Sequence, residues 1–354
     1  MTTIADQDRE VILGVDTHRD VNVASVIDGQ GRVQGTTSVA TTPAGNVELE
    51  RWARTFGTVV AAGIEGTGSY GAGLARHLAA AGIEVIEVNR PNRQHRRRHG
   101  KSDPTDAEAA ARAVLSGEAT AEPKSHVGIV ESIRVLRVAR SSALKARTQI
   151  ANQIRDLILT APEPLRDQLR GLSTPQRVVR CARLRPSTGP DPTAATGRAL
   201  RHLARRHLAL SVELDDLDRD LGQLVATAAP RLLTQRGVGP DVAAKLLVAA
   251  GDNPHRLTNE AAFAALCGAS PVPASSGKIQ RHRLNRGGDR QANNALWTVA
   301  MVRLSCDPET RAYADRRTKQ GRSRRDTTRC LKRYIARQLF PLLIADIQDA
   351  NALT

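Results

Sequence analysis

The chain has 354 residues, of which 40% are apolar and 25% charged, and this composition predicts a folded protein rather than a disordered one. Its net charge of +16 favours a polyanionic partner. No apolar run approaches the roughly 18 residues of a membrane span, and four scattered cysteines argue against a disulfide framework or a cysteine zinc site. The polar start MTTIADQDRE is not typical of a signal peptide, so we expect a cytoplasmic protein.

The charge divides the chain into two parts. Residues 1–124 hold 14 basic and 16 acidic residues, whereas residues 125–354 hold 38 basic and 20 acidic residues. Arginine supplies 45 of the 52 basic residues, which suits bidentate phosphate contacts but would also follow from a GC-rich genome. The asymmetry predicts a chemical domain beside segments that hold nucleic acid.

Apolar runs and turn residues predict an α/β domain over residues 1–122. We expect strands at residues 11–15, 21–27, 31–39, 58–64 and 83–88, with a hairpin turn at 28–31, and helices at 42–54, 70–81 and 103–115. In the last helix, Asp103 is the expected N-cap and Pro104 occupies the first turn. A hairpin followed by a β-α-β unit predicts a mixed sheet with helices.

Four carboxylates stand at the ends of these elements. Asp16 and Glu65 directly follow apolar strands, and Asp103 and Asp106 share one face at a helix start. Carboxylates packed together repel unless cations bridge them, and two Mg²⁺ ions about 4 Å apart are the arrangement that nucleases use for phosphoryl transfer. Taken singly, each is more simply a cap or a polar strand end, but together they predict a metal site.

Three segments carry these carboxylates: G-V-D-T-H at 14–18, G-I-E-G-T-G-S-Y at 63–70 and K-S-D-P-T-D-A-E-A-A-A-R-A at 101–113. They resemble the DEDD transposases of the IS110 insertion-sequence family, relatives of the Piv DNA invertase. The resemblance implies a RuvC-like, RNase H-type domain over residues 1–122. It also implies that the four carboxylates form the metal-binding tetrad, with Mg²⁺ as the cofactor, two ions per site.

A basic segment, residues 89–101, directly precedes the last two carboxylates. We expect it to grip phosphates at the active site, although a solvated charge run is the alternative. His95 and His99 have helical spacing but no third partner, so a zinc site is not expected. The candidate phosphate-binding residues here are Arg93, Arg96, Arg97, Arg98 and Lys101.

The middle region, residues 123–228, combines two helical stretches with an insert. Apolar periodicity predicts long helices over 127–159 and 199–228, and six prolines predict an irregular insert at 160–197. Such a pair suggests an antiparallel hairpin or coiled coil for dimerisation, with a helical linker packed on its own chain as the alternative. In the resembled family this region is a coiled-coil dimerisation segment.

The last region, residues 229–354, is expected to be mostly helical. A G-V-G turn leads into a helix that ends at Ala250, and this pattern resembles a helix-hairpin-helix whose Gly237 and Gly239 let backbone amides approach a DNA phosphate. A plain helical packing unit is the alternative.

A Ser-Ser-Gly-Lys loop follows at residues 275–278. On composition alone it is an ordinary loop. The run from the G-V-G turn through S-G-K-x-x-R to N-R-G-G-D-R-Q-A-N-N-A-L-W resembles the second signature domain of the same family. There the serine before glycine is the nucleophile, which implies Ser276, with Ser275 as its neighbour; a nearby metal or base would activate the hydroxyl.

The end of the chain is strongly basic. Residues 278–337 hold 17 basic and five acidic residues, so phosphate contacts and salt-sensitive binding are predicted. Aromatic residues make up only 2% of the chain, so base stacking is not a strong feature. The candidate contacts are Lys278, Arg281, Arg283, Arg286, Arg290, Arg322, Arg324 and Arg325.

These features predict a DNA recombinase of a mobile element that cuts and rejoins strands through a transient Ser276–DNA link. The resemblance implies a composite site in a tetramer built from dimers, and guidance by a structured bridge RNA. Residues alone indicate only a polyanion binder, without separating RNA from DNA. With the resemblance, we expect a cytoplasmic protein associated with the bacterial nucleoid.

Three alternatives are open. A RuvC-type endonuclease, hydrolysing DNA with a metal-bound water, would need the tetrad but not Ser276. A non-catalytic helix-hairpin-helix protein would need neither. An actin-like kinase is the weakest alternative, because no later glycine-rich phosphate motif follows.

Overall fold

The computed structural model describes residues 9–88, 102–275 and 282–352. The chain forms two compact units, residues 1–126 and 127–354.

Unit 1 contains a five-stranded mixed sheet, as the sequence predicts. Its strands lie in the order β3-β2-β1-β4-β5, with antiparallel pairing from β1 to β2 and from β2 to β3, and parallel pairing from β1 to β4 and from β4 to β5. The strands are β1 (Glu10–Thr17), β2 (Val21–Asp28), β3 (Val33–Ala40), β4 (Thr58–Glu65) and β5 (Glu84–Val88).

Helices lie on both faces of this sheet. They are α1 (Pro43–Arg54), α2 (Ala72–Ala80) and α3 (Asp103–Leu115). Odd-numbered residues of β1, such as Leu13 and Val15, share a core with Leu49 of α1 and Leu78 of α2. Even-numbered Ile12 packs with Ala111 of α3, because side chains alternate between the two faces of a strand. The sheet is therefore buried on both sides.

Glycines in the strands let α3 lie directly against the sheet. A Cβ atom added to Gly14 would stand 2.1 Å from the backbone oxygen of Ala107, and one added to Gly63 would stand 2.7 Å from that of Ala110. Only glycine allows so close an approach of helix and strand. The next side chains on the same face, at Asp16 of β1 and Glu65 of β4, therefore lie on the α3 side of the sheet.

Element bounds in unit 1 differ from the predicted ones by one or two residues, and two of the differences concern the candidate carboxylates. β1 continues through Asp16 and Thr17, because both residues pair with β2. The N-cap of α3 is Ser102 rather than Asp103. Ser102 has extended backbone angles, whereas Asp103 is the first helical residue.

Unit 2 contains two long helices, α4 (Gly128–Leu159) and α7 (Pro192–Ala228), which are separated by the insert. Arg147 Nη1 donates to Ser211 Oγ at 3.4 Å, and Arg140 pairs with Asp218. Increasing residue numbers on α4 meet decreasing numbers on α7, so the two helices form an antiparallel hairpin within one chain.

The insert at 160–197 is helical, and the expectation of an irregular segment is wrong. It contains α5 (Glu163–Leu169), α6 (Thr174–Ala182) and the start of α7. Pro164, Pro175 and Pro192 each occupy a first helical turn, where the missing N–H costs nothing. The prolines thus start helices here instead of breaking them.

The rest of unit 2 is mostly helical. Its main core joins Ile133 of α4 and Val225 of α7 to Phe263 and Leu339 farther along the chain, so the long helices and the C-terminal region share one core. The elements are α8 (Pro230–Leu233), α9 (Pro240–Ala250), a 3₁₀ turn (Pro254–Arg256), α10 (Glu260–Leu266), β6 (Val272–Pro273), β7 (His282–Arg283), α11 (Arg290–Cys306), α12 (Pro308–Lys319) and α13 (Arg324–Ala352).

Across the described ranges, no helix is both long enough and apolar enough to cross a membrane.

Candidate metal centre

The ends of two parallel strands bring Asp16 and Glu65 to one edge of the sheet. Val15 of β1 pairs with Ile64 of β4, and the two carboxylate residues come next in each strand. The Thr17 hydroxyl donates to the backbone oxygen of Glu65 at 2.7 Å, which ties the two strand ends together. Asp16 is buried and Glu65 is half-buried.

The first turn of α3 supplies Asp103 and Asp106. Asp106 is buried, with 5% of the residue exposed, whereas about half of the Asp103 side chain is exposed. Carboxylates are stabilised in the first turn of a helix because the positive end of the helix dipole lies there. The charges of both carboxylates act on Asp16, so the first turn of α3 lies near the end of β1.

His18 belongs to the same cluster, and the sequence analysis did not select it. Its Nε2 lies 3.2 Å from Asp16 Oδ2 and 3.6 Å from Asp103 Oδ1. One ligand atom from each of Asp16, His18 and Asp103 lies within 4.8 Å of the others. The signal was its position two residues after Asp16, since alternate residues at a strand end point the same way.

The electrostatics of Asp16 indicate a site that favours a cation. Burial raises the pKa of the Asp16 carboxyl, His18 lowers it, and the carboxylates of Asp106 and Asp103 raise it again. Clustered carboxylates supply the oxygen ligands that a hard divalent ion such as Mg²⁺ prefers. The residues present therefore fit a divalent metal.

Several candidate site residues lie outside the described part of the chain. These are Arg93, Arg96, Arg97, Arg98, Lys101, Ser276, Lys278 and Arg281. Their roles stay predictions.

The described basic candidates have accessible side chains. All six are exposed, as a phosphate contact requires. They are Arg283 of β7, Arg286, Arg290 of α11, Arg322, and Arg324 and Arg325 of α13.

The G-V-G turn connects the four-residue α8 to α9. Gly237 has φ +84, a backbone angle that favours glycine, and Gly239 is the N-cap of α9. The first turn of α9 carries Asp241, whose carboxylate pairs with Arg137 at 2.9 Å and Lys245 at 2.7 Å. The helix start therefore already holds a carboxylate, and its role in binding a phosphate stays a prediction.

Two family models match the chain. Residues 13–161 match an IS110-type DEDD transposase model, and residues 229–315 match the transposase family IS116/IS110/IS902.

The chain is also similar to proteins of bacterial insertion elements. It is 36% identical over 124 residues to the 43.6 kDa protein of IS110 from Streptomyces coelicolor, covering 35% of this chain and 29% of that protein. It is 25% identical over 311 residues to the 42 kDa protein of IS900 from Mycobacterium paratuberculosis, covering 75% of this chain and 78% of that protein. With both models in the order that the motifs predict, and with these relatives, the chain belongs to the IS110 family of insertion-sequence transposases.

Proposed function

We propose that this chain is the recombinase of an insertion sequence, which cuts DNA strands and rejoins them through a transient link to a serine. The observation that carries the proposal is the cluster at the end of β1, where Asp16, His18 and Asp103 offer ligand atoms within 4.8 Å of one another. Family membership supports it, because a DEDD transposase family implies use of a divalent metal.

The proposed metal ligands are Asp16, Glu65, Asp103 and Asp106, holding Mg²⁺ with two ions per site. When bound, the metal supplies positive charge against the oxygens of the phosphoryl group. The chain's own part is to fix the ligands: the paired strand ends hold Asp16 and Glu65, and α3 holds the other two. His18 orients the oxygens of Asp16 and Asp103.

Ser276 is the proposed nucleophile, on the strength of the S-G-K pattern and its place inside the second matched region. Its Oγ would lose a proton and bond to the scissile phosphorus, while the bond from phosphorus to the departing strand's oxygen breaks and that oxygen takes up a proton. A hydroxyl of the second strand reverses the exchange. The number of phosphodiester bonds is unchanged, so rejoining needs no ATP.

The proposed partners are the DNA of the element ends and target, a structured bridge RNA and further copies of the chain, as a dimer and then a tetramer. The excess of basic over acidic residues beyond residue 124 supports polyanion binding. Action at the bacterial nucleoid follows from a DNA substrate.

The test is trapping of the covalent intermediate. The full chain is incubated with Mg²⁺, supercoiled DNA carrying both element ends and the target, and RNA transcribed from the element's flanking non-coding DNA. Denaturing gels then separate free DNA from protein–DNA adducts. We expect an adduct with the parent chain and with Ser275→Ala, and none with Ser276→Ala or Asp16→Asn.

Two outcomes would contradict this mechanism. Cleavage without an adduct, retained in Ser276→Ala, would indicate a RuvC-type nuclease that uses water. An adduct lost in Ser275→Ala but retained in Ser276→Ala would move the nucleophile by one residue.

A further inference from the structure

The far end of the α4–α7 hairpin forms a small helical body with its own core. We call residues 160–207 the hairpin head. Leu169 and Cys181 are fully buried there beside Leu200 of α7 and Ile154 of α4, in a cluster separate from the main core of unit 2. A segment with its own buried core presents its surface residues in defined positions.

The surface of the hairpin head is strongly basic. Residues 160–207 hold ten arginines, no lysine and three acidic residues. The next stretch of α7, residues 213–220, reverses this balance with five acidic residues and one arginine. Positive charge is thus concentrated at one end of the hairpin and not spread along it.

The acidic residues of the hairpin head do not neutralise this charge. Glu163 pairs with Arg166 at 3.5 Å and Asp167 with Arg170 at 3.8 Å, while Asp191 accepts the backbone N–H of Ala194 at 2.9 Å. Among the described residues, five exposed arginines of the head have no carboxylate within ion-pair distance. They are Arg180, Arg183, Arg185, Arg205 and Arg206.

These exposed arginines lie on neighbouring elements. Arg180 is next to Cys181 on α6, and Arg205 is next to Ala204 on α7, and both neighbours belong to the same core. Exposed arginines without carboxylate partners give this end of the hairpin a positive potential, which attracts a polyanion. Arginine forks match phosphate oxygens bidentately.

The composition indicates a duplex rather than a single strand. Residues 160–207 contain no Phe, Trp or Tyr, so the aromatic platforms on which single-stranded bases stack are missing from the sequence of this segment. Arg206 precedes the end of α7 at Ala228 by 22 residues, which is about 33 Å of helix. A single partner that contacts both the hairpin head and the surface near the end of α7 must therefore be of macromolecular length.

We propose that the hairpin head is a nucleic-acid-binding surface that holds the phosphate backbone of duplex DNA away from the C-terminal basic region. Its contacts are to phosphates, so it adds affinity and register without reading sequence. The inference rests on the proposed function only in taking DNA as the duplex.

The test measures binding of the full chain to a fluorescent DNA duplex of about 30 base pairs, roughly three turns, over a range of salt concentrations. The variant is Arg180→Gln with Arg183→Gln. The matched control is Arg51→Gln with Arg76→Gln, which removes two exposed arginines of α1 and α2. In the head variant, we expect the magnitude of the slope of log affinity against log salt concentration to decrease by about 2. Binding of this variant should be roughly tenfold weaker than that of the parent chain near 0.1 M salt. The control variant should keep the slope of the parent chain.

An unchanged slope in the head variant would overturn the proposal, and so would an equal loss in the control, which would reflect bulk charge alone. An RNA duplex of the same length is the second arm: a loss confined to RNA would overturn the choice of DNA. DNA strand cleavage by the parent chain and by Asp16→Asn is measured in a separate assay. A failure of the recombinase proposal is therefore distinguished from a failure of the proposal that the hairpin head binds DNA.

Discussion

At the scale of single residues, His18 is the side chain that most extends the candidate site. It belongs to the G-V-D-T-H motif, yet only the folded chain places its Nε2 near oxygens of both Asp16 and Asp103. Residues that contact metal ligands fix the orientation of those ligands. Loss of such a contact typically lowers metal affinity or activity by roughly 10- to 100-fold.

We therefore expect His18→Ala to raise the Mg²⁺ concentration needed for DNA cleavage by roughly 10- to 100-fold. The measurement is a Mg²⁺ titration of strand cleavage. His77→Ala is the matched control in the same unit, because His77 pairs with Glu50 at 2.8 Å instead of with the cluster. An equal shift in both variants would contradict a specific role for His18.

A second residue-scale feature is a partly buried polar network around Asn293. Its Oδ1 accepts from Lys332 Nζ at 2.9 Å, and its Nδ2 donates to the backbone oxygen of Cys267 at 2.7 Å. Lys332 is only 7% exposed, and burial lowers the pKa of its ammonium group. The network joins α11 and α13 to the end of α10, ahead of the segment that contains Ser275.

We expect Asn293→Ala to lower the free energy of unfolding by about 1–3 kcal/mol, because it leaves a buried ammonium and a carbonyl without this partner. Chemical denaturation followed by circular dichroism measures it. Asn294→Ala gains the same helix propensity but removes only an exposed contact to Lys245, so it should change stability by much less. Equal effects of the two substitutions would count against the network.

At the scale of elements, the seating of α3 on the sheet determines whether the carboxylates meet. Gly14 and Gly63 remove the side chains that would hold the helix away, and Ala107 and Ala110 do the same from the helix side. The strand ends and the helix start were predictable from apolar runs and turn residues. Their mutual distance depends on this close backbone contact, which no single segment encodes.

Gly14→Ala should therefore displace α3 from β1, because the added Cβ would lie 2.1 Å from the Ala107 oxygen. We expect a loss of stability of about 1–3 kcal/mol, the usual range for overpacking, together with loss of Mg²⁺-dependent cleavage. Thermal unfolding and cleavage assays measure these effects. Gly29→Ala is the control, since nothing lies within 4 Å of its added Cβ; if Gly14→Ala behaved like it, the seating argument would fail.

At the scale of the whole molecule, charge and function are segregated along the chain. Residues 1–124 carry a net charge of −2 and include the four candidate ligands, whereas residues 125–354 carry +18. The candidate metal site needs only its own few carboxylates, so the part of the chain that carries it can be nearly neutral. Phosphate binding instead needs positive charge over a wide surface. The hairpin head extends that surface beyond the basic C-terminal region.

The sequence by itself determined the order of strands and helices in unit 1, the two long helices, and the carboxylates as candidates. These follow from local periodicity, caps and turn residues, which act over a few neighbouring positions. The prediction of an irregular insert was wrong because a proline can either end a helix or start one. Only the packing around Leu169 and Cys181 determines that the prolines of this segment start helices. The tertiary structure alone brought His18 to Asp103 and α3 onto Gly14, because such contacts depend on the distance between segments far apart in the chain.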